Sequence, residues 1–332
     1  MKKLKMGVLG CSRHYSLRIA IPLRSSSFVQ PYAIASRDKE KAGEYASSNG
    51  FTKIHDSYEA LISDPDVDFV FIPLPNHLHL EYIKKTADAG KPVLCEKPIC
   101  LNAAQAAEAV EYCKKKNILL MEAFMYRFHP QWVRAKEISI CGEIGDLLTV
   151  HTHFSYMNKD ANNIRNMANF GGGAVYDIGC YAVSCARFLF GKEPERVVCN
   201  MIRDPLFQTD TFVSGVLDFG GGKTSTFTVS TQMQPYQRVS ATGTSGSLSI
   251  EVPFNMYSDV PGKLTVITGV GQRLVKTEIV DQYYLEFDAF AKSIIEKTEA
   301  PVPVKDMIDN MAVLDALYKS GETGKWETVQ KY

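Results

Sequence analysis

Asp68-Phe69-Val70-Phe71-Ile72-Pro73-Leu74 decides the fold class of this chain. Phe69 to Ile72 form an unbroken apolar run with no polar alternation, the pattern of a strand buried on both faces. Working outward, residues 80–89 read as a helix, and similar runs flank the pair at 4–9 and 30–36 before it and at 92–95 and 119–122 after it. Helical patterns through 19–23, 39–47 and 103–115 separate these runs. Continuously apolar strands alternating with helices predict an α/β domain over residues 1–124, with a doubly wound parallel sheet covered on both faces.

From residue 125 onward the pattern changes. Helical spacing appears at 130–138 and 175–190, then strand-like runs at 147–157, 196–202, 212–219, 224–233 and 238–250. Thr224, Thr226, Thr228 and Ser230 alternate with Ser225, Phe227, Val229 and Thr231, and glycine clusters at 220–222 and 243–246 mark turns. Period two with such turns predicts antiparallel pairing. Helices at 284–297 and 306–320 close the chain, with Gly321 placed to stop the second. Residues 125–332 therefore read as an α+β domain on an open, mainly antiparallel sheet.

Composition narrows the function. A chain of 332 residues exceeds what one hydrophobic core usually serves. Its 37 basic and 37 acidic residues give no net charge, which argues against nucleic acid or an anionic membrane as partner. The basic start is followed only by Val8-Leu9 before Gly10 and Arg13-His14 intervene, too short for an export signal. No stretch reaches the roughly 18 apolar residues of a membrane span. The 8 cysteines form no CxxC pair, so reduced thiols, a cytoplasmic setting and no metal site are expected.

Three stretches carry chemistry at the expected strand ends. A dinucleotide turn read from Gly10 needs small residues at 12 and 15; Ser12 complies and Tyr15 does not. After the second run come Ser36 and Arg37, and an arginine there suits the 2′-phosphate of NADP where an acid would suit NAD. The run Val93-Leu94-Cys95 ends in Glu96-Lys97-Pro98. Open α/β sheets bind ligands at such carboxyl ends, and a lysine there is a candidate proton-handling group.

Taken together, Gly10, Ser36-Arg37, Pro73-Leu74-Pro75-Asn76-His77-Leu78-His79, Glu96-Lys97-Pro98, Glu122-Ala123-Phe124-Met125-Tyr126-Arg127 and Gly171-Gly172-Gly173-Ala174-Val175-Tyr176-Asp177-Ile178-Gly179-Cys180-Tyr181 resemble one family. It is the oxidoreductase family named for glucose–fructose oxidoreductase, inositol dehydrogenase and MocA (Gfo/Idh/MocA). The resemblance runs along essentially the whole chain. It is nearest to the branch of NADP-dependent xylose dehydrogenases, dimeric dihydrodiol dehydrogenases and nucleotide-sugar ketoreductases. Many other members carry a histidine where this chain has Tyr181. Relative to the branch's common turn, the stretch from Gly10 to Pro22 is one residue longer.

The resemblance implies an N-terminal Rossmann domain and a C-terminal open sheet that floors the substrate site, in a homodimer or homotetramer. It implies cofactor contacts, NADP before NAD, from Gly10, Ser12, Arg13, His14, Ser36, Arg37, Leu74, Pro75, Asn76, His79, Glu96, Lys97, Met125 and Arg127. Lys97 would hydrogen-bond the reacting oxygen and the nicotinamide ribose, Tyr181 would give or take the alcohol proton, and Asp177 would orient the substrate hydroxyl or Lys97. Phe154 and Tyr156 are expected to line a sugar pocket, Arg165 to hold a substrate oxygen or phosphate, and Tyr236 with Arg238 to meet a larger substrate.

The residues themselves agree with that chemistry. Asp177 and Tyr181 lie four apart on an expected helix and so share a face. Hydride transfer to a ketone builds negative charge on oxygen, which an ammonium and a phenol can stabilise and protonate. The substrate is then a free sugar or a nucleotide-linked one. Two alternatives from other classes are a non-catalytic NADP-binding regulator and a glycoside-cleaving enzyme that recycles its cofactor. The trio Lys97, Asp177 and Tyr181 opposes the first, and Arg37 opposes the second.

Overall fold

The computed structural model describes residues 2–36 and 38–332, Lys39 by its main chain alone. The chain divides into two compact units, residues 1–128 with 281–308 and residues 129–280 with 309–332.

In the first unit six strands pair in parallel: β1 (Leu4–Leu9), β2 (Val29–Ala35), β3 (Lys53–His55), β4 (Phe69–Ile72), β5 (Val93–Glu96) and β6 (Leu120–Ala123). Their order, β3-β2-β1-β4-β5-β6, is that of a doubly wound Rossmann sheet. All four residues of β4 are fully buried, as its unbroken apolar run requires. Strand β3 and the short helix Tyr58–Ile62 escape the sequence pattern. Lys53-Ile54-His55 is a three-residue edge strand whose central isoleucine is exposed, so it has no apolar periodicity to read.

The helix expected through 19–23 is replaced by a wide turn at Tyr15–Ile19, where the Ala20 N–H reaches back to the Tyr15 carbonyl at 2.9 Å, followed by a tight turn at Pro22–Ser25. Such an i→i+5 turn is one residue wider than an α-helical turn. The distant helix Gln282–Glu296 belongs to this unit. Its Phe287 meets Phe71 edge-on at 5.0 Å and its Phe290 meets Phe69 at 5.6 Å. Asp288 on the same helix accepts from the Ser26 hydroxyl and from the Ser27 N–H.

The second unit holds nine strands: β7 (Leu147–Met157), β8 (Arg196–Arg203), β9 (Asp210–Asp218), β10 (Thr224–Ser230), β11 (Gln232–Gly243), β12 (Gly246–Ile250), β13 (Lys263–Thr268), β14 (Gly271–Lys276) and β15 (Glu327–Thr328). They run in the order β14-β13-β12-β11-β7-β10-β9-β8-β15. Only β7 and β10 pair in parallel, so the sheet is open and mainly antiparallel. On β10 the alternation holds as far as Val229: Ser225, Phe227 and Val229 are buried and the threonines between them are half-exposed, while Ser230, expected with the threonines, is buried too. The expected runs 224–233 and 238–250 each cross a turn, the first between β10 and β11 and the second between β11 and β12. On the buried face Trp132 stacks on Phe254 and donates its ring N–H to the Pro253 carbonyl at 2.6 Å.

Gly321 does not end the last helix, which runs Val304–Thr323. The stop is Gly324, in the left-handed region at φ 66°. Gly321 serves packing instead, since a Cβ there would lie 2.9 Å from the Met201 side chain on β8.

Candidate active site

The nucleotide turn begins where β1 ends. Gly10 has φ 87°, and a Cβ on it would sit 3.1 Å from Leu74 Cδ2 and 3.3 Å from the Tyr58 hydroxyl oxygen. Only glycine follows this path without strain, as the tight turn of a dinucleotide site demands. Ser12 is held by its main chain, accepting from the Tyr45 hydroxyl at 2.8 Å, and its side chain receives the Tyr15 N–H at 3.4 Å. Tyr15 turns inward: it is fully buried, with its ring 5.3 Å from Phe51 and 6.3 Å from Phe71. The residue too large for the third-glycine role thus becomes core. From Tyr15 to Ile19 the chain makes one wide turn rather than a long helix, so a bound pyrophosphate would gain little from a macrodipole. It would rest on main-chain amides and on side chains such as the exposed Arg13.

At the end of β2, Ser36 is buried and accepts the Asp38 N–H at 3.2 Å. Cys11 faces it, and burial raises that thiol's pKa. Arg37 lies outside the described residues. His14 brings its Nε2 to 3.5 Å from Glu96, and its ring meets Tyr283 edge-on at 5.7 Å.

Lys97 follows β5 with its side chain half-buried, and its N–H reaches the Glu96 carboxylate at 3.3 Å. The Lys97–Pro98 peptide bond is cis. Two buried side chains fix this loop. His79, with no exposed surface, places Nδ1 3.0 Å from the Pro98 carbonyl and Nε2 2.8 Å from the Leu74 carbonyl. Glu122 on β6 accepts the Ile99 N–H at 2.7 Å. His79, expected among the cofactor contacts, ties two loops at adjacent strand ends through its ring. Leu74 is buried, while Pro75 and Asn76 are half-exposed. Met125 is buried, and Arg127 pairs with Asp306 at 2.9 Å and leans over the Phe124 ring.

In the second unit the structure assembles a cluster that sequence spacing only hints at. Asp177 accepts from the Tyr156 hydroxyl at 2.5 Å on one oxygen and meets the Arg165 Nε at 2.9 Å on the other. Burial, then the neighbouring carboxylate charge, raises the Tyr156 pKa, so this phenol stays protonated and donating. Asp177 lies in a second wide turn, Val175–Gly179, closed by the Cys180 N–H onto the Val175 carbonyl. Tyr181 follows in the first turn of the regular helix Cys180–Phe190. The two residues are thus not on one uniform helix. Tyr181 is 5% exposed, with its ring 5.9 Å from Phe154 and 5.1 Å from Phe254.

Tyr236 is not part of this cluster. It meets His153 at 4.9 Å, and His153 and Phe154 are consecutive on β7, so they point to opposite faces of the sheet. Arg238 pairs in register with His153 and bridges to Glu251, on that same outer face. Sequence reasoning missed Glu122 as a brace and missed Asp210. Asp210 is buried at the start of β9, and its carboxylate takes the Val175 N–H at 2.6 Å and the Tyr318 hydroxyl at 3.0 Å. Burial raises the Asp210 pKa. No local motif announces such a group, because its partners lie far off in the chain.

Comparison with known proteins matches both halves. The profile of the oxidoreductase family with an NAD-binding Rossmann fold covers residues 4–124, and that of the GFO/IDH/MocA C-terminal domain covers residues 132–249. The chain belongs to the Gfo/Idh/MocA family. Among similar members is a D-xylose 1-dehydrogenase (NADP(+)) of Haloferax volcanii, 37% identical across 97% of this chain and 98% of that protein. An uncharacterised oxidoreductase of Rhizobium meliloti is 35% identical across 99% of this chain and all of its own length. Among solved structures, the 3-ketoreductase KijD10 of Actinomadura kijaniata, in complex with NADP and TDP-benzene, superposes with a TM-score of 0.91 at 26% identity, covering 96% of this chain and 98% of that one. This Gfo/Idh/MocA chain is therefore an NAD(P)-binding oxidoreductase. Among its described residues no helix is long and apolar enough to cross a membrane.

Proposed function

We propose that the protein is an NADP-dependent oxidoreductase that moves a hydride between nicotinamide and a secondary alcohol or ketone carbon of a sugar or sugar derivative. The observation that carries the reading is Lys97, an amine closing β5 of an NAD-binding sheet on a loop braced by His79 and Glu122. The Gly10 turn, at φ 87° where glycine alone is unstrained, fits a cofactor pyrophosphate. Arg37 and the NADP-dependent xylose dehydrogenase among the relatives support NADP over NAD. Bound nicotinamide supplies or accepts the hydride. Lys97 hydrogen-bonds the reacting oxygen and stabilises its developing charge. Tyr181 gives or takes the hydroxyl proton. Asp177, its carboxylate oriented by Tyr156 and Arg165, aligns the substrate hydroxyl.

A free sugar is the first reading of the substrate. A nucleotide-linked sugar is the second, supported by the likeness to KijD10. Of the three groups considered for holding a nucleotide, Tyr236 and Arg238 lie on the outer face, which leaves Arg165. The test is thermal shift and turnover with NADPH and NADH, then with D-xylose, D-glucose and dTDP-linked hexoses. NADPH should bind about tenfold tighter than NADH, a difference of about 1.4 kcal/mol. Tight NADPH binding with no turnover on any of these sugars would favour a non-catalytic regulator. Turnover confined to the dTDP sugars would select the second reading.

A further inference from the structure

Asp210 stands out among the buried ionisable groups because the local backbone is built around it. It opens β9 and is 1% exposed. Its Oδ2 receives the Val175 N–H, the first amide of the wide turn that carries Asp177, and its Oδ1 receives the Tyr318 hydroxyl. Gly173, two residues earlier, has φ 121°, and a Cβ on it would lie 2.1 Å from Asp210 Oδ1. Beside it, a Cβ on Gly172 would lie 2.5 Å from the Arg165 carbonyl. The glycine run therefore threads between the main chain of Arg165 and the Asp210 carboxylate. Tyr318 is itself held, with its ring 4.9 Å from Tyr176.

The geometry of the turn makes this anchorage matter. In Val175–Gly179 the Cys180 N–H bonds to the Val175 carbonyl, one residue wider than an α-helical turn. Relaxing the wide turn to α-helical register would rotate residues 175–179 by about 100°, one position, against the helix Cys180–Phe190. Such a rotation would take Asp177 away from Tyr156 and Arg165. We infer that Asp210 is a positioning residue: by gripping the Val175 amide it holds the turn in its wide register and so aims the Asp177 carboxylate. The inference rests on the role proposed above for Asp177.

Hydrogen-exchange mass spectrometry on the full chain tests it, comparing wild type with Asp210→Ala and Asp210→Asn. Asp210→Ala should speed exchange across residues 174–181 by about tenfold or more, because the turn opens locally. Asp210→Asn, which keeps an oxygen acceptor, should change it by about threefold or less. Exchange in β8 and β10 should stay as in wild type for both variants. Unchanged exchange at 174–181 in Asp210→Ala would overturn the inference. So would equal acceleration throughout the unit, which would mark Asp210 as an ordinary fold-stabilising group. A second readout is NADP reduction with whichever sugar the wild type turns over: kcat should fall in Asp210→Ala, the KM for NADP should hold, and Asp210→Asn should recover most of the loss. If the wild type turns over no sugar, the proposed activity fails while the exchange data still decide the role of Asp210.

Discussion

Lys97 and Asp177 are held in opposite ways. Around Lys97 the work falls to the main chain: carbonyls of Leu74 and Pro98 meet the His79 ring, and the Ile99 amide meets Glu122, all buried. Around Asp177 side chains do it, a phenol from β7 and a guanidinium from a loop, and Arg165 is 35% exposed. A loop fixed through its backbone tolerates little and reports damage as lost stability. A carboxylate fixed by two side chains can lose one of them and keep its fold, so it reports damage as lost function.

The largest expected effects test whether both regions serve one reaction. Lys97→Met and Tyr181→Phe should each lower turnover by about 10²-fold or more if they handle the proton and the charge on oxygen. Tyr181→Phe should leave NADPH affinity near wild type by titration calorimetry, because its partners Phe154 and Phe254 pack equally well on a phenyl ring. Full activity in Tyr181→Phe would remove the second unit from the proton chemistry.

The next effect separates two buried histidines, one from each unit. Burial lowers the pKa of both, that of His129 to about 4. At His129, Nδ1 accepts the Gln131 N–H at 3.1 Å and caps the helix Pro130–Ile140, so a proton added there destroys the cap. At His79 both ring nitrogens face carbonyl oxygens, so a second proton gains an acceptor. A group with a depressed folded pKa leaves the unfolded chain binding more protons between the two values. His129 therefore contributes stability in full above the unfolded value near 6.5, and that stability is lost as the pH falls towards 4, by up to about 3 kcal/mol. Urea unfolding at pH 7 and pH 5 measures the slope. His129→Asn, which keeps a capping oxygen, should flatten it, and an unchanged slope would assign the acid sensitivity elsewhere.

A paired comparison bears directly on the contrast between the regions. Glu122→Ala leaves the buried Ile99 N–H without its acceptor and should cost about 2 kcal/mol, visible as a melting temperature several degrees lower. Tyr156→Phe removes one hydrogen bond at the partly exposed Asp177 and should cost about 1 kcal/mol or less while lowering kcat several-fold. The reverse pattern, with activity lost at Glu122 alone and stability lost at Tyr156 alone, would break the contrast.

These differences also explain what could be read from sequence. The parallel sheet was legible because β4 and β5 are continuous apolar runs ending in proline or charge. The edge strand β3 was not, since a short strand with an exposed isoleucine carries no period. The wide turn at Tyr15–Ile19 was not legible, because its geometry is set by where Tyr15 finds core. Lys97 was legible because its motif is contiguous. Asp210 and Glu122 were not, because each holds an amide remote in sequence, and a lone acidic residue at a strand end looks the same whether it is buried or solvated. Nothing in the pattern of 282–296 tells which sheet that helix covers; its contacts do, the rings of Phe287 and Phe290 on β4 and Asp288 on Ser26 and Ser27.

The smallest expected effect sharpens the edge of the second region. Tyr236 and Arg238 were candidates for a larger substrate by sequence, yet they share the face of β7 that carries His153, while Phe154 shares the face of Tyr181. Both are exposed, and the bridge from Arg238 to Glu251 spans 3.4 Å between side chains that are 45% and 64% exposed. Such a pair contributes at most about 0.5 kcal/mol, so Arg238→Ala should unfold within that margin of wild type. Tyr236→Ala loses a ring contact with His153 and should likewise leave turnover on a free sugar within about twofold, because strand alternation keeps it from the Asp177 side. The informative arm is a dTDP-linked hexose. If either variant loses turnover on that substrate alone, the outer face takes part in recognition and the boundary drawn by the alternation of β7 is wrong; if both substrates respond equally little, a nucleotide, where one is bound, is held from the Arg165 side.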